Sequence, residues 1–229
     1  MNNVLITGAN RGLGLGFTNH YLAQGCRVVA AARKPADSTA LDDLHSRFGG
    51  QLKAIELELT REASITGATA ALTGFEFDLV INNAGTLTDE AFGAWTAATF
   101  AQTFAVNTTG PALLAQALLP LMKPGSKLVN MSSGLGSCGL NTNPETGLDA
   151  YAASKAALNM ITCRLAAKLE SRGITVVACD PGWVKTRMGG DEAELTVAES
   201  VDAITATIAR LTVADSGRFL SRHGDDLPW

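Results

Sequence analysis

The chain has 229 residues, enough for one sizeable core, and its 46% hydrophobic and 17% charged content excludes a disordered or fibrous protein. Its 18 basic and 22 acidic side chains give a net charge of −4, which argues against general affinity for nucleic acid or an anionic membrane. Cys26, Cys138, Cys163 and Cys179 show no CxxC spacing and read as small hydrophobes in a reducing compartment, not as a disulfide framework or zinc site.

The first residues run directly into an apolar strand pattern, Val4–Thr7, without a basic segment or long apolar stretch. Neither a signal peptide nor a membrane span is expected, and the expected location is cytoplasmic. Next come Thr7-Gly8-Ala9-Asn10-Arg11-Gly12-Leu13-Gly14 and a predicted helix over Gly14–Gln24, closed by Gly25. A glycine motif between strand and helix is the context in which such a turn holds a dinucleotide. Gly8 permits the tight turn, Gly12 lets the backbone approach a pyrophosphate, and Gly14 allows close helix–strand packing. The helix N-terminus adds amide donors and partial positive charge. The spacing is GxxxGxG instead of GxGxxG, and a glycine turn without a ligand is the alternative reading of the motif alone. The second predicted strand, Arg27–Ala32, is followed by Arg33 and Lys34 with no acid. A carboxylate there would bind ribose hydroxyls, whereas an Arg accommodates the extra phosphate. Arg33, with Arg11 in the glycine turn, favours NADP(H); solvated loop charges are the alternative.

The pattern continues with a helix over Ala40–Phe48, a strand over Leu52–Leu57, a helix over Ala63–Leu72 and a strand over Leu79–Asn82. A long helix over Thr99–Met122 and a strand over Lys127–Ser132 follow. The remainder reads as a helix over Tyr151–Ser171, a strand over Thr175–Cys179, a helix over Val197–Leu211 and a short strand over Arg218–Leu220. Gly25, Gly125 and Gly173 stand after helical runs, where a left-handed residue closes a helix. Apolar strands separated by helices predict an α/β fold, a doubly wound parallel sheet of about seven strands with helices on both faces. With no linker or repeat in evidence, residues 1–229 read as one domain.

Tyr151 and Lys155 are four apart on a predicted helix, so a phenol and an ammonium share one face. An ammonium beside a phenol favours the phenolate and lowers its pKa toward working pH, as a general acid/base requires. Taken in order, the glycine turn, Asn82-Asn83-Ala84-Gly85, Asn107, Ser132-Ser133 and Tyr151…Lys155 resemble the classical short-chain dehydrogenase/reductases. The stretch Asp180-Pro181-Gly182-Trp183-Val184-Lys185-Thr186 and the tail ending Leu227-Pro228-Trp229 are similar to the C-factor/sniffer-type carbonyl reductase branch.

The resemblance implies a Rossmann-like fold and a tetrad of Asn107, Ser133, Tyr151 and Lys155. Tyr151 would exchange the proton with the substrate oxygen, and Ser133 would orient that oxygen. Lys155 would hold the nicotinamide ribose and lower the Tyr151 pKa, with Asn107 completing a water-linked relay to Lys155. It further implies that NADP(H) is bound by Gly8, Asn10, Arg11, Gly12, Leu13, Gly14, Arg33, Glu58, Leu59, Asn83, Ala84, Gly85, Tyr151, Lys155, Pro181, Gly182, Val184 and Thr186. Glu58 departs from the family's usual Asp after the third strand, near the adenine. Ser133 is favoured over Ser132 by the resemblance; neighbouring strand residues face opposite sides, so only one can serve.

His20, His45 and His223 share no ligand spacing, and no metal site is expected. Leu135, Leu140, Trp183 and Met188 suggest apolar walls, with Gly139–Leu148 shaping the mouth; Trp183 either lines the pocket or packs its own loop. The expected function is NADP(H)-dependent hydride transfer between nicotinamide and a small-molecule carbonyl or alcohol. The alternative is a regulatory protein of the same fold that binds NADP(H) without required turnover. In this family the helices around Thr99–Met122 and Tyr151–Ser171 commonly pair across a two-fold, so a homodimer or homotetramer is expected.

Overall fold

Alternate residues of the first strand divide between two cores. In the computed structural model, which describes residues 1–229, Val4 and Ile6 of β1 (Asn3–Thr7) enter one apolar cluster and Leu5 enters another. Both faces of the strand are buried, which is why its sequence is continuously apolar. Both faces are buried likewise in β2 (Arg27–Ala32), β4 (Phe77–Asn82), β6 (Thr175–Asp180) and the Leu128–Met131 end of β5 (Met122–Met131), whose Pro124 and Gly125 are exposed. With β3 (Leu52–Glu56) and β7 (Phe219–Ser221) at the edges, all seven strands pair in parallel in the order β3-β2-β1-β4-β5-β6-β7.

One face is covered by α1 (Gly12–Ala23), α2 (Thr39–Phe48) and α7 (Val197–Arg210), which contribute Phe17, Leu41, Leu44, Ile204 and Ile208. The other carries α3 (Glu62–Ala70), α5 (Gly110–Leu118) and α6 (Asp149–Leu169), with Ile65, Leu114, Leu118 and Leu169. Burying one such side chain contributes about 1.5–3 kcal/mol. Local signals fix several helix starts. Ser38 accepts from Leu41 N at α2, and Thr196 and Glu199 form a reciprocal capping box at α7.

The region expected as one helix over Thr99–Met122 differs. It comprises α4 (Ala97–Phe104), a π turn over Ala105–Thr109, α5 and a 3-10 turn over Leu119–Leu121. Pro111 and Pro120 lack the N–H that a continuous helix requires, and the chain widens or tightens near each. Met122 already belongs to β5, so Gly125 lies within a strand instead of closing a helix. Its φ of +85° accompanies a register irregularity against β4. Gly25 (φ +78°) and Gly173 (φ +66°) do follow helical segments.

Between β3-β2-β1 and β4-β5-β6-β7 the strand order reverses, and ligands of such sheets bind at the carboxyl ends beside that point. Thr7, at the end of β1, locks this edge. Its buried hydroxyl accepts the backbone N–H groups of Asn83 and Ala84, each at 3.0 Å. Thr7→Val keeps the shape but strands two amide donors. Urea unfolding should show a loss of about 2–4 kcal/mol, with Thr7→Ser losing much less; equal losses would contradict this assignment.

Candidate active site

The turn after β1 is compressed from two sides. Gly8 has φ +64°, and a Cβ there would lie 3.0 Å from the Ala84 Cα. A Cβ on Gly14 would overlap the Gly8 carbonyl oxygen, so α1 can start against the strand end only with glycine here. Gly12 (φ +53°) faces Thr186, whose Cγ2 would lie 3.3 Å from a Cβ on that glycine. The loop after β6 is thereby brought against the glycine turn. Asn10 and Leu13 are half-buried within the turn, while Arg11 and Arg33 are exposed. The residues present thus fit a dinucleotide: a cradle that side chains would fill, amides at a helix N-terminus, and free guanidinium groups beside it.

Asn83 Nδ2 donates to Thr7 O at 2.8 Å, so its side chain ties β4 to β1. Gly85 lies where three side chains meet: a Cβ there would be in contact with Asn107 Oδ1 at 3.4 Å, Lys155 Nζ at 3.8 Å and Met188 Cε at 4.0 Å. Pro181 and Gly182 follow β6, with Gly182 at φ +76° and no room for a Cβ beside Leu195. Val184 is buried and bridges to Leu195; Leu59 is buried against Gly110. The Glu58 carboxylate accepts from Thr60 N and Thr60 Oγ1 at 3.3 and 3.0 Å, so it is committed to its own loop.

Asn107 sits in the π turn and is fully buried. Its Oδ1 accepts from Thr86 N at 2.8 Å, and its amide donates to Thr86 O at 2.8 Å and Ser154 Oγ at 2.9 Å. Both amide hydrogens are committed, so the side chain fixes the Gly85–Thr86 backbone against α6. Ser132 and Ser133 diverge as strand geometry demands. Ser132 Oγ donates to Asn159 Oδ1 in the core at 2.6 Å, while the Ser133 hydroxyl accepts Leu135 N at 3.2 Å and acts to lower the Tyr151 pKa. Trp183 donates from Nε1 to Gly189 O at 2.8 Å; its indole fastens the loop after β6.

Residues 2–195 match the sequence family described as short chain dehydrogenase. The chain belongs to that family. An NADPH-bound carbonyl reductase from chicken fatty liver superposes with a TM-score of 0.94 at 36% identity, covering 100% of this chain and 99% of that one. The carbonyl reductase Sniffer of D. melanogaster superposes with a TM-score of 0.93 at 33% identity over 100% of both chains. C-signal of Myxococcus xanthus is 37% identical over 170 residues, 71% of this chain and 98% of that protein.

In this short-chain dehydrogenase the expected lowering of the Tyr151 pKa by Lys155 does not hold for the free protein. Burial pushes the phenol up to about 12, the Ser133 hydroxyl pulls it back, and the Asp180 carboxylate pushes it further up. Lys155 is itself buried, which brings its ammonium down from 10.5 to about 8. It donates to Met131 O at 2.7 Å, and Nζ lies 5.6 Å from the Tyr151 ring centroid. Desolvation outweighs attraction at this range. Asp180, which the motif reading passed over as a site residue, is the nearby acid. Burial raises its pKa, against the Gly182 and Gly134 amides and Arg222.

The depressed Lys155 pKa has a thermodynamic sign. Between pH 8 and 10.5 the unfolded chain holds a proton that the folded chain has released, so stability from this group rises with pH across that window. Relative to Lys155→Met, the wild type should gain about 2 kcal/mol between pH 8 and pH 10 in paired urea titrations. A constant difference would show that Lys155 titrates normally.

Proposed function

We propose that this short-chain dehydrogenase is an NADP(H)-dependent carbonyl reductase in which Tyr151 supplies the proton. The observation that carries the reading is the grouping of Ser133, Tyr151 and Lys155, with Lys155 Nζ beside Gly85, near a glycine cradle that has Arg11 within its turn and Arg33 after the next strand. Its structural likeness to the NADPH-bound chicken enzyme supports the cofactor. When bound, the nicotinamide supplies the hydride to the carbonyl carbon. Every other part of the chemistry falls to side chains of this chain.

The Tyr151 phenol, its pKa raised by burial, is protonated at neutral pH, the state that a proton donor to the carbonyl oxygen requires. Ser133 orients the same oxygen by hydrogen bonding, and Lys155 presents a cation to the ribose side of the site. Asn107 holds the Gly85–Thr86 backbone beside Lys155 and would complete a water-linked relay to it. Leu140, Trp183 and Met188 are exposed hydrophobics, consistent with a substrate that has an apolar portion. Four free cysteines fit a cytoplasmic setting, and no helix is long and apolar enough to cross a membrane. The likeness to C-signal favours a second reading, a regulatory protein that binds NADP(H) without required turnover.

Oxidation of NADPH and NADH with a panel of aldehydes, ketones and quinones tests the assignment. NADPH should be preferred, and Tyr151→Phe should lose about 10²–10⁴-fold in kcat. Arg33→Ala should weaken NADPH binding about 10–100-fold while leaving NADH binding nearly unchanged. NADH preference would refute the phosphate site. Tight NADPH binding without turnover would favour the regulatory reading.

Association through α4 and α6 is part of the proposal: Met160 on α6 is 61% exposed, and Phe92 and Trp95 lie exposed just before α4. Met160→Glu should shift the protein toward monomer in sedimentation velocity. A wild type that sediments as a monomer would contradict a homodimer or homotetramer.

A further inference from the structure

We infer that residues Leu227–Trp229 form a strap that holds the substrate loop through Ser137, making Ser137 and Trp229 positioning residues for selectivity toward large apolar carbonyls. The substrate class rests on the carbonyl reductase reading above; the strap itself does not.

The loop leaves β5 through a 3-10 turn over Gly134–Gly136. That turn is pinned to α6: Asn159 Nδ2 donates to Gly136 O at 3.2 Å, and a Cβ on Gly136 would collide with Lys155. The loop's far end is tied at Gly147 O, which accepts Glu90 N at 2.8 Å. Between these anchors, Ser137–Leu140 are held by the tail. Ser137 is 2% exposed; its Oγ donates to Pro228 O at 2.6 Å and accepts Leu140 N at 3.0 Å. One hydroxyl therefore couples the tail to the backbone of Leu140. Gly139 N donates to Trp229 O at 2.8 Å, and a Cβ on Gly139 would lie 2.9 Å from Pro228 Cβ.

The tail in turn is fixed to the sheet. Trp229 stacks on buried Phe219 of β7 with ring centroids 5.6 Å apart, and Leu227 N donates to Phe219 O at 2.8 Å. Leu220 and Asp226 form an antiparallel bridge, reinforced by Arg218 Nε donating to Asp226 at 2.6 Å. Leu140, placed by this arrangement, has its Cδ1 3.9 Å from where a Cβ on Gly134 would stand, next to Ser133 and Asp180. Asn141 and Asn143 then reverse the chain with left-handed φ of 43° and 51°, a conformation Asn tolerates better than most residues. The strap thus sets how far an apolar wall stands from the reacting centre while touching none of the proposed proton donors.

Two measurements test this. Hydrogen exchange on the cofactor-free protein should show the Gly139–Asn141 amides exchanging about tenfold faster or more in Ser137→Ala and Trp229→Ala, with α6 protected as in the wild type. Ser137→Thr and Trp229→Phe, which keep the hydroxyl and the stacked ring, should restore protection. With NADPH, Ser137→Ala should raise KM for benzaldehyde about tenfold while leaving acetaldehyde KM and both kcat values nearly unchanged. Unchanged exchange, or a KM rise equal for the two aldehydes, would overturn the inference. If the wild type reduces neither aldehyde while Ser137→Ala still frees the loop, the strap stands and the carbonyl reductase reading falls.

Discussion

The site depends on burying one ammonium. Lys155 stands 4% exposed between β5 and α6, bonded to the Met131 carbonyl at the last residue of the strand. An unpaired charge in that position costs stability, and burial brings its pKa down to about 8. The surroundings close around the helix turn that carries it. Gly136 must be glycine because a Cβ would strike the Lys155 Cβ and the backbone of α6, and a Cβ on Gly85 would stand 3.8 Å from the Lys155 ammonium. Local stability is given up to hold a cation beside Gly85 and Asn107, a trade common at functional sites.

A buried polar ladder fixes where α6 sits, and hence where Tyr151 and Lys155 point. Asn82 donates to Asn130 at 2.8 Å across β4 and β5, and Asn130 donates to Thr162 on α6 at 2.9 Å. Ser132 bonds Asn159 one turn earlier on the same helix, and Thr108 of the π turn donates to Ser154 O. Apolar packing alone would let a helix rich in alanine slide along the sheet. Directional bonds buried at three successive levels do not.

Much of this was legible in the sequence because its causes are local. Continuous apolar strands required a two-sided sheet, and glycines between strand and helix required a close approach. Ser132 and Ser133 had to face opposite ways. What could not be read depends on distant partners. The π turn at Asn107 is stabilised by Thr86 and Ser154, 21 and 47 residues away in sequence, and the helix pattern gives no sign of it. Thr7 looked like the end of a strand, yet its hydroxyl organises the Asn83-Ala84 turn 76 residues on. The spacing of Tyr151 and Lys155 suggested mutual activation; spacing carries no information about desolvation, which dominates both groups in the free protein. The tail was readable as a likeness, and only the fold shows that it reaches Ser137.

The proposed carbonyl reduction turns on direct transfer of a hydride from nicotinamide to a carbonyl carbon. Reduction of benzaldehyde with NADPH carrying deuterium at the reactive ring carbon, followed by NMR of the benzyl alcohol, tests it most directly. Deuterium is expected on the carbinol carbon from one face of the nicotinamide alone, with no exchange into solvent. Alcohol formed without label from either face, or label lost to water, would contradict it.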